Sequence, residues 1–389
     1  MAANKKAGGR EGQGLINGGI GGAELFSLAL CLPLGGLAFS AWPIGYGGVA
    51  AWATAVVCGV IIWGGLVCYM HLFAGQSFGQ ALIYAFGNAA GRTALFLYAL
   101  LWPALALASA LYAVLLWQAL GIGGTPLWLY AILFLLAAAL IAAAGEQTLS
   151  RVALLIVVPS LLALLLNLAL TLVGADWANL HPQEQLNGDF LPGGIGGGLL
   201  CFGSLSVLLP YFYKVRKLKN HTVTLLAAEG FAALIILLLA LGALVALSSS
   251  LSFYRFPLLQ VFRLAEVGHW FSRFEVIGAA LVAGILLLRA AAALAASLAA
   301  LRELWGFKQG GRLSLAIAVL ISLGLWLLLI FVGRRFADWW GLLTVLAGYL
   351  PYVLLFGAVL LPWAAVIAGM FRLYAEGRTV IISHDEDGR

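Results

Sequence analysis

Three ionisable residues sit where ionisable residues are costly: Glu24, Glu229 and Arg289 each fall inside a long apolar stretch of the chain. Near the centre of a bilayer such a group costs at least about 2.5 kcal/mol on insertion scales, so it faces a cavity or a partner. The stretches place all three at similar depth. This predicts that Arg289 pairs with Glu24 or Glu229 and latches an inner path. A purely structural pair, or an Arg289 that snorkels to headgroups, is the alternative. The backbone offers a second chemistry. Gly18-Gly19-Ile20-Gly21-Gly22 precedes Cys31-Leu32-Pro33-Leu34-Gly35, and 175 residues later the same five letters precede Cys201, Phe202-Gly203-Ser204-Leu205 and Pro210. Pro removes an amide donor and Gly loosens a helix. Both segments therefore predict helices broken at depth, where freed amides and carbonyls can hold a small polar solute. The predicted site is Cys31, Leu32, Pro33, Leu34 and Gly35 from one helix and Phe202, Gly203, Ser204 and Leu205 from the other, with Tyr98 and Trp102 closing one side. Close helix packing is the other use of such glycines.

Soluble-enzyme chemistry is missing. The histidines His71, His181, His221, His269 and His384 have no metal-ligand spacing. No Walker loop occurs, so ATP-driven transport by this chain alone is not expected. The glycine-rich segments lie within apolar stretches rather than after a strand, which excludes a dinucleotide fold. No catalytic residue, metal or cofactor is expected. Cys31, Cys58, Cys68 and Cys201 all fall inside apolar stretches, so no disulfide framework is expected either.

The elements that would position these residues follow from composition. The 389 residues are 63% hydrophobic and 9% charged, against about 25% charged for a soluble domain. Too little charge is present to coat a water-soluble particle. The expectation is an all-α integral membrane protein with about ten spans, each near the roughly 20 residues that cross a bilayer. The spans read as Leu15–Phe39, Tyr46–Tyr69, Thr93–Leu120, Pro126–Ala144, Leu149–Val173, Pro192–Tyr213, Thr222–Leu247, Trp270–Leu304, Leu313–Val332 and Leu342–Tyr374. Two shorter pieces do not span: Ser77–Phe86, amphipathic at the inner interface, and Phe256–Ala265, a short outer cap. Lys5, Lys6 and Arg10 open the chain, but no small-residue cleavage site follows them. With the N-terminus inside, the inner segments hold 15 Lys and Arg and the outer segments 5, a bias that places both termini in the cytoplasm. The net charge of +6 thus sets orientation and is no sign of nucleic acid.

The repeated GGIGG divides one transmembrane domain, residues 1–389, into five-span halves at 15–173 and 192–374. Five is odd, so the halves have opposite topology. This is the inverted repeat of the LeuT/APC-like transporters, whose first and sixth helices are broken.

Four motifs in order carry a resemblance. They are Ser77–Arg92 (SFGQALIYAFGNAAGR), Thr125-Pro126, Gly145-Glu146-Gln147-Thr148-Leu149-Ser150-Arg151, and Phe256–Arg263 (FPLLQVFR) followed by Phe271-Ser272-Arg273-Phe274-Glu275. Together they resemble the B subunit of bacterial spore germination receptors, the GerAB-type spore permeases of the amino acid–polyamine–organocation superfamily. The resemblance covers nearly the whole chain apart from about fifteen residues at each end. It departs at Phe202–Leu205, where a polar or acidic residue often follows the glycine. Glu146 with Arg151 is expected to fix the turn before span 5, and Arg273 with Glu275 to tie the outer loop to span 8.

The resemblance implies a subunit that binds a nutrient, an amino acid first among the candidates, in the lipid bilayer of the spore inner membrane. Its partners would be an A-type membrane subunit and a C-type lipoprotein. A secondary transporter coupled to H⁺ or Na⁺ would have the same fold. A conduit for water or ions would need a continuous polar path, for which Tyr98, Ser109, Asn167, Ser204 and Ser206 are the candidates.

Overall fold

The computed structural model describes residues 20–121, 126–173, 177, 190–214, 218–247, 256–264, 274–306, 312–333 and 339–375. Gly18, Gly19, Thr125 and Arg273 lie outside them. The helices are α1 (Gly22–Leu72), α2 (Phe78–Phe86), α3 (Asn88–Ala119), α4 (Leu127–Ala144), α5 (Glu146–Val173), α6 (Phe190–Phe202), α7 (Leu218–Leu247), α8 (Pro257–Leu264), α9 (Phe274–Trp305), α10 (Arg312–Gly333), α11 (Trp339–Leu354) and α12 (Leu361–Ala375). A 3₁₀ segment, Gly203–Lys214, continues α6, and a π segment, Leu355–Leu360, joins α11 to α12. Among the described residues nine helices are long and apolar enough to cross a membrane, and Gly22–Gly36 forms a shorter apolar one. The chain is a multi-pass integral membrane protein.

α1 carries spans 1 and 2 as one helical run, and its contacts show that the run turns back. Gly36 packs on the backbone of Leu200 and Cys201, while Gly59 packs on the ring of Phe202. Residues 36 and 59 of a straight helix would be roughly 35 Å apart, at 1.5 Å per residue. Two neighbouring residues of α6 cannot meet both unless the axis reverses between Gly36 and Ala51. The first limb runs antiparallel to α6, with Leu32 beside Ser204 and Gly36 beside Cys201. The second limb runs parallel to it, with Gly194 on Ala51 and Thr54, and Gly198 on Ala55 and Cys58.

α1, which carries spans 1 and 2, packs most extensively on α6, followed by α9 on α3, α1 on α7, and α10 on α4. Span 6 is the centre, with 89% of its most apolar window buried, whereas α10 is peripheral at 22%. The apolar side chains that α4, α5 and α10 expose, such as Leu133, Leu155 and Leu320, are the lipid-facing surface.

The two short helices fall where expected. α2 begins on a capping box, in which Ser77 accepts from the amide of Gln80 and the Gln80 side chain accepts from that of Ser77. It ends on Gly87 at φ 86°, just as α4 ends on Gly145 at φ 101°, left-handed positions that suit glycine. Glu303, near the end of α9, accepts hydrogen bonds from Ser77 Oγ and the Gly79 amide and so fastens α2 to α9.

Gly36 has backbone on its open side, which cannot give way, whereas a Cβ on Gly324 would meet nothing within 4 Å. Gly36→Ala should cost at least about 1–3 kcal/mol by overpacking. Gly324→Ala should not destabilise and should raise stability by up to about 1 kcal/mol, the helix-propensity gain over glycine. Denaturant unfolding of the purified protein in detergent checks both.

Candidate functional site

The α-helical ladder of span 6 stops at Phe202 and a tighter 3₁₀ winding takes over for twelve residues, Gly203–Lys214. Runs of 3₁₀ longer than three or four residues are uncommon, and a mid-helix one often marks a hinge or strain. The interruption expected at Phe202-Gly203 is therefore present. Its cause is local. Gly203 lets the backbone change winding, and Pro210 removes an amide further along. The last four carbonyls of any α-helix lack intrahelical partners, and here side chains supply partners for two of them. Arg289 Nη2 donates to Leu200 O at 2.8 Å. Ser204 Oγ lies 2.9 Å from Cys201 O and 3.0 Å from Leu32 O, a hydroxyl shared between spans 6 and 1. One turn on, Ser206 Oγ donates to Gly203 O at 2.9 Å.

Arg289 is fully buried. A guanidinium at a helix C-terminus meets both the orphan carbonyl and the negative end of the helix dipole. Gly35 makes its path: a Cβ there would lie 2.9 Å from Arg289 Cδ. On the other side Cys31 Sγ donates to Ile285 O of the same helix α9 at 3.8 Å. Leu32, Gly35, Cys31, Ser204 and Arg289 thus meet at one junction of α1, α6 and α9.

Several expectations need correction here. Helix 1 does not unwind at Leu32-Pro33-Leu34-Gly35, because the chain is helical throughout Gly22–Gly36. Its glycines serve close approach to α6 and α9 instead, and that packing holds the helical form around Pro33. Among the described residues the Arg289 guanidinium is seen on the Leu200 carbonyl rather than on Glu24 or Glu229. Glu24 caps its own helix by accepting from the Gly21 amide at 3.0 Å, and it faces Arg151 Nε at 3.7 Å. Glu146 and Arg151 each meet a partner on another helix. Glu146 faces Arg302 Nη2 at 3.9 Å. Residues five apart point to different faces of a helix, whereas three or four apart would meet. Glu275 does lie in the first turn of α9, where a carboxylate suits the helix dipole.

Tyr98 and Trp102 are fully buried, and their rings lie 4.9 Å apart. Both also meet the ring of Phe78 from α2, at 5.2 and 5.7 Å. Tyr98 Oη donates to Gly357 O at 2.7 Å, inside the π segment. Gly203 in turn abuts Leu354. The aromatic wall therefore joins the span 6 junction through the end of α11 and the π segment. Sequence reasoning missed Gly357, Phe78 and Glu303. A signal for the first existed: Pro351 and Pro362 bracket residues 355–360.

Residues 28–331 match the family model described as spore germination protein. The chain belongs to that family. No curated protein matches it. Solved structures show the same fold at low identity. The amino-acid-bound MhsT, in complex with L-phenylalanine, aligns at TM-score 0.66 and 14% identity over 91% of this chain and 89% of its own. Mhp1, a nucleobase-cation-symport-1 transporter closed around bromovinylhydantoin, aligns at 0.61 and 13% over 94% of each chain. A mutant of the manganese transporter of Eremococcus coleocola aligns at 0.61 and 13% over 95% of this chain and 87% of its own. The fold is the inverted-repeat membrane fold of transporters, and family and fold are those of permeases rather than enzymes.

If Arg289 caps α6, Arg289→Met should expose the carbonyls at Leu200 and its neighbours. Amide exchange over residues 199–214 should rise about ten- to hundred-fold, the factor that a charged hydrogen bond of roughly 1.5–3 kcal/mol corresponds to. Arg289→Lys, which keeps the charge, should show a smaller rise. Hydrogen–deuterium exchange read by mass spectrometry on the three proteins makes the comparison.

Proposed function

We propose that this protein is the nutrient-binding membrane subunit of a spore germination receptor, with the ligand held where span 6 changes winding against span 1. The observation that carries the reading is the α-to-3₁₀ junction at Phe202-Gly203, tied to Leu32 through Ser204, in a member of the spore germination family. The site residues are Cys31–Gly35, Phe202–Leu205 and Arg289, with Tyr98 and Trp102 behind them.

The chemistry favours a small molecule bearing a carboxylate, and an α-amino acid above others. Among the described residues Arg289 is the one buried cation. Its charge draws an anion, and the carbonyls around the junction suit an ammonium group. The polarity of the junction thus matches both ends of an amino acid.

Signalling would follow from differential binding to two conformations. Twelve residues of 3₁₀ rise about 24 Å, and the same residues as α-helix about 18 Å. The two windings also differ by about 20° per residue. A ligand that favours one winding at Gly203 would therefore shorten or lengthen span 6 and rotate everything up to Lys214. Partner subunits of the A-type membrane and C-type lipoprotein kinds would read that change, in the spore inner membrane with both termini inside.

A second reading has a specific observation in its favour. The solved structures of this fold include transporters, one holding L-phenylalanine. In that reading the same site carries an amino acid across by alternating access.

Radiolabelled amino acids offered to the purified protein and to proteoliposomes test both readings. A receptor subunit should bind a labelled amino acid without accumulating it, and Gly203→Leu should abolish the binding, since Gly203 abuts Leu354 with no room for a larger side chain. Accumulation inside vesicles would establish the transporter, and unchanged binding by Gly203→Leu would displace the site.

A further inference from the structure

The short helix α2 is held unequally at its two ends. At its C-terminal end the contact is backbone on backbone: a Cβ on Gly91 of α3 would lie 2.6 Å from Ile83 Cα and 2.8 Å from Leu82 O. The chain then turns into α3 at Gly87. At its N-terminal end the hold is polar. Among the described residues, its ties to other helices there are the two hydrogen bonds that Ser77 and Gly79 donate to Glu303, and a long one, 3.4 Å, that Tyr69 Oη donates to Phe78 O. Gly79 lets the carboxylate come close, since a Cβ there would collide with Glu303 Oε2. Just before the helix, Gly75 takes φ 79° and a Cβ on it would meet nothing within 4 Å. That glycine serves a backbone angle and not close packing.

The polar end of α2 carries the ring that reaches into the bundle. Phe78 is 2% exposed, and its ring meets those of Tyr98, Trp102 and Tyr69 at 5.2, 5.7 and 6.4 Å. Behind it, Tyr98 holds the π segment through Gly357 O. A small cavity of about 10 Å³ lies beside this same end, lined by Tyr69, Met70, Gln76, Phe78, Phe212 and Tyr213 among others. Phe78 is the residue that α2 contributes to it, and Phe212 and Tyr213 come from the 3₁₀ segment. Free space therefore flanks the end that a carboxylate holds, while close-packed backbone flanks the other. Close-packed atoms resist displacement, and a void leaves room for it.

We propose that α2 is a latched lid: it pivots at Gly87 and Gly91, Glu303 holds its N-terminal end shut, and Phe78 is the stopper that it lays against Tyr98 and Trp102. Hinges are a few loop or element-terminal residues that absorb a change in backbone angle, and Gly75 and Gly87 stand at those places on either side of the helix. With the latch open, Phe78 moves away from Tyr98 and Trp102, and the cavity beside it opens. The wall behind the junction then loses one of its three rings, and the end of the 3₁₀ segment gains the space. Nothing in this construction calls on a ligand, so the lid stands whether or not the junction binds a nutrient.

Thiol labelling of the full chain in lipid nanodiscs tests the lid, with a water-soluble maleimide and peptide mass mapping as the readout. Met70→Cys places a thiol on the cavity at the latched end, and Ala85→Cys places one near the pivot; the parent residues are 2% and 4% exposed. Adding Glu303→Ala should speed labelling at position 70 by about tenfold or more, the factor that a lost hydrogen bond to a charged group corresponds to. Labelling at position 85 should not change. Cys31 and Cys201, both fully buried, should stay unlabelled and so report an intact bundle. Should Glu303→Ala fail to fold, Glu303→Gln, which keeps an acceptor oxygen and drops the charge, carries the same comparison with a smaller rise. Labelling that rises equally at both positions, or at neither, would overturn the proposal. Failure here leaves the nutrient site standing, and failure of labelled amino acids to bind leaves the lid standing.

Discussion

A helix that stops halfway through a membrane exposes carbonyls that no bulk water can reach. In this chain α6 stops at Phe202, and the guanidinium of Arg289 takes up the carbonyl of Leu200. The surrounding architecture follows from that contact. Arg289 reaches α6 past Gly35, and the absence of a side chain there is what lets α1 and α9 close on the junction. Gly36 then brings α1 onto the α6 backbone, and Ser204 ties the two by a hydroxyl. With the junction closed, the remainder of span 6 winds as 3₁₀ and carries its side chains past α1, α9 and the π segment.

Much of the fold was legible in the sequence, because lipid imposes a simple rule on apolar stretches. Span 4 was expected at Pro126–Ala144 and is helical over Leu127–Ala144; span 9 was expected at Leu313–Val332 and is helical over Arg312–Gly333. The α6 interruption was legible too, since Gly203 followed by Ser204 combines a loosened backbone with a hydroxyl able to serve freed carbonyls. What failed was partner assignment. Charge counting pairs an intramembrane Arg with an intramembrane Glu, yet a carbonyl at a helix terminus serves a guanidinium equally well. The distance from Glu24 to Arg151 across the bundle is set by how α1 packs on α5, which one sequence does not disclose. Pro33 misled in the other direction. A proline marks a lost hydrogen bond, but packing on both sides of Cys31–Gly36 keeps the helix whole.

Membership of the spore germination family and the transporter fold together frame the biology. A receptor and a carrier can share every helix. They differ in whether the two conformations are used to pass a signal or a solute. The junction supplies what both would need: a buried charge, carbonyls held by side chains rather than by the helix ladder, and a segment that can change length.

The Arg289 guanidinium resting on the Leu200 carbonyl, inside the membrane, is the contact that everything else presupposes. Solid-state NMR on protein in lipid bilayers, with ¹⁵N in the arginine side chains and ¹³C at the leucine carbonyls, measures that contact directly. A dipolar coupling between the Arg289 Nη and Leu200 carbonyl carbon, consistent with the 2.8 Å nitrogen-to-oxygen approach, is the predicted result. Its absence, with Arg289 coupled instead to a glutamate carboxylate, would contradict the account.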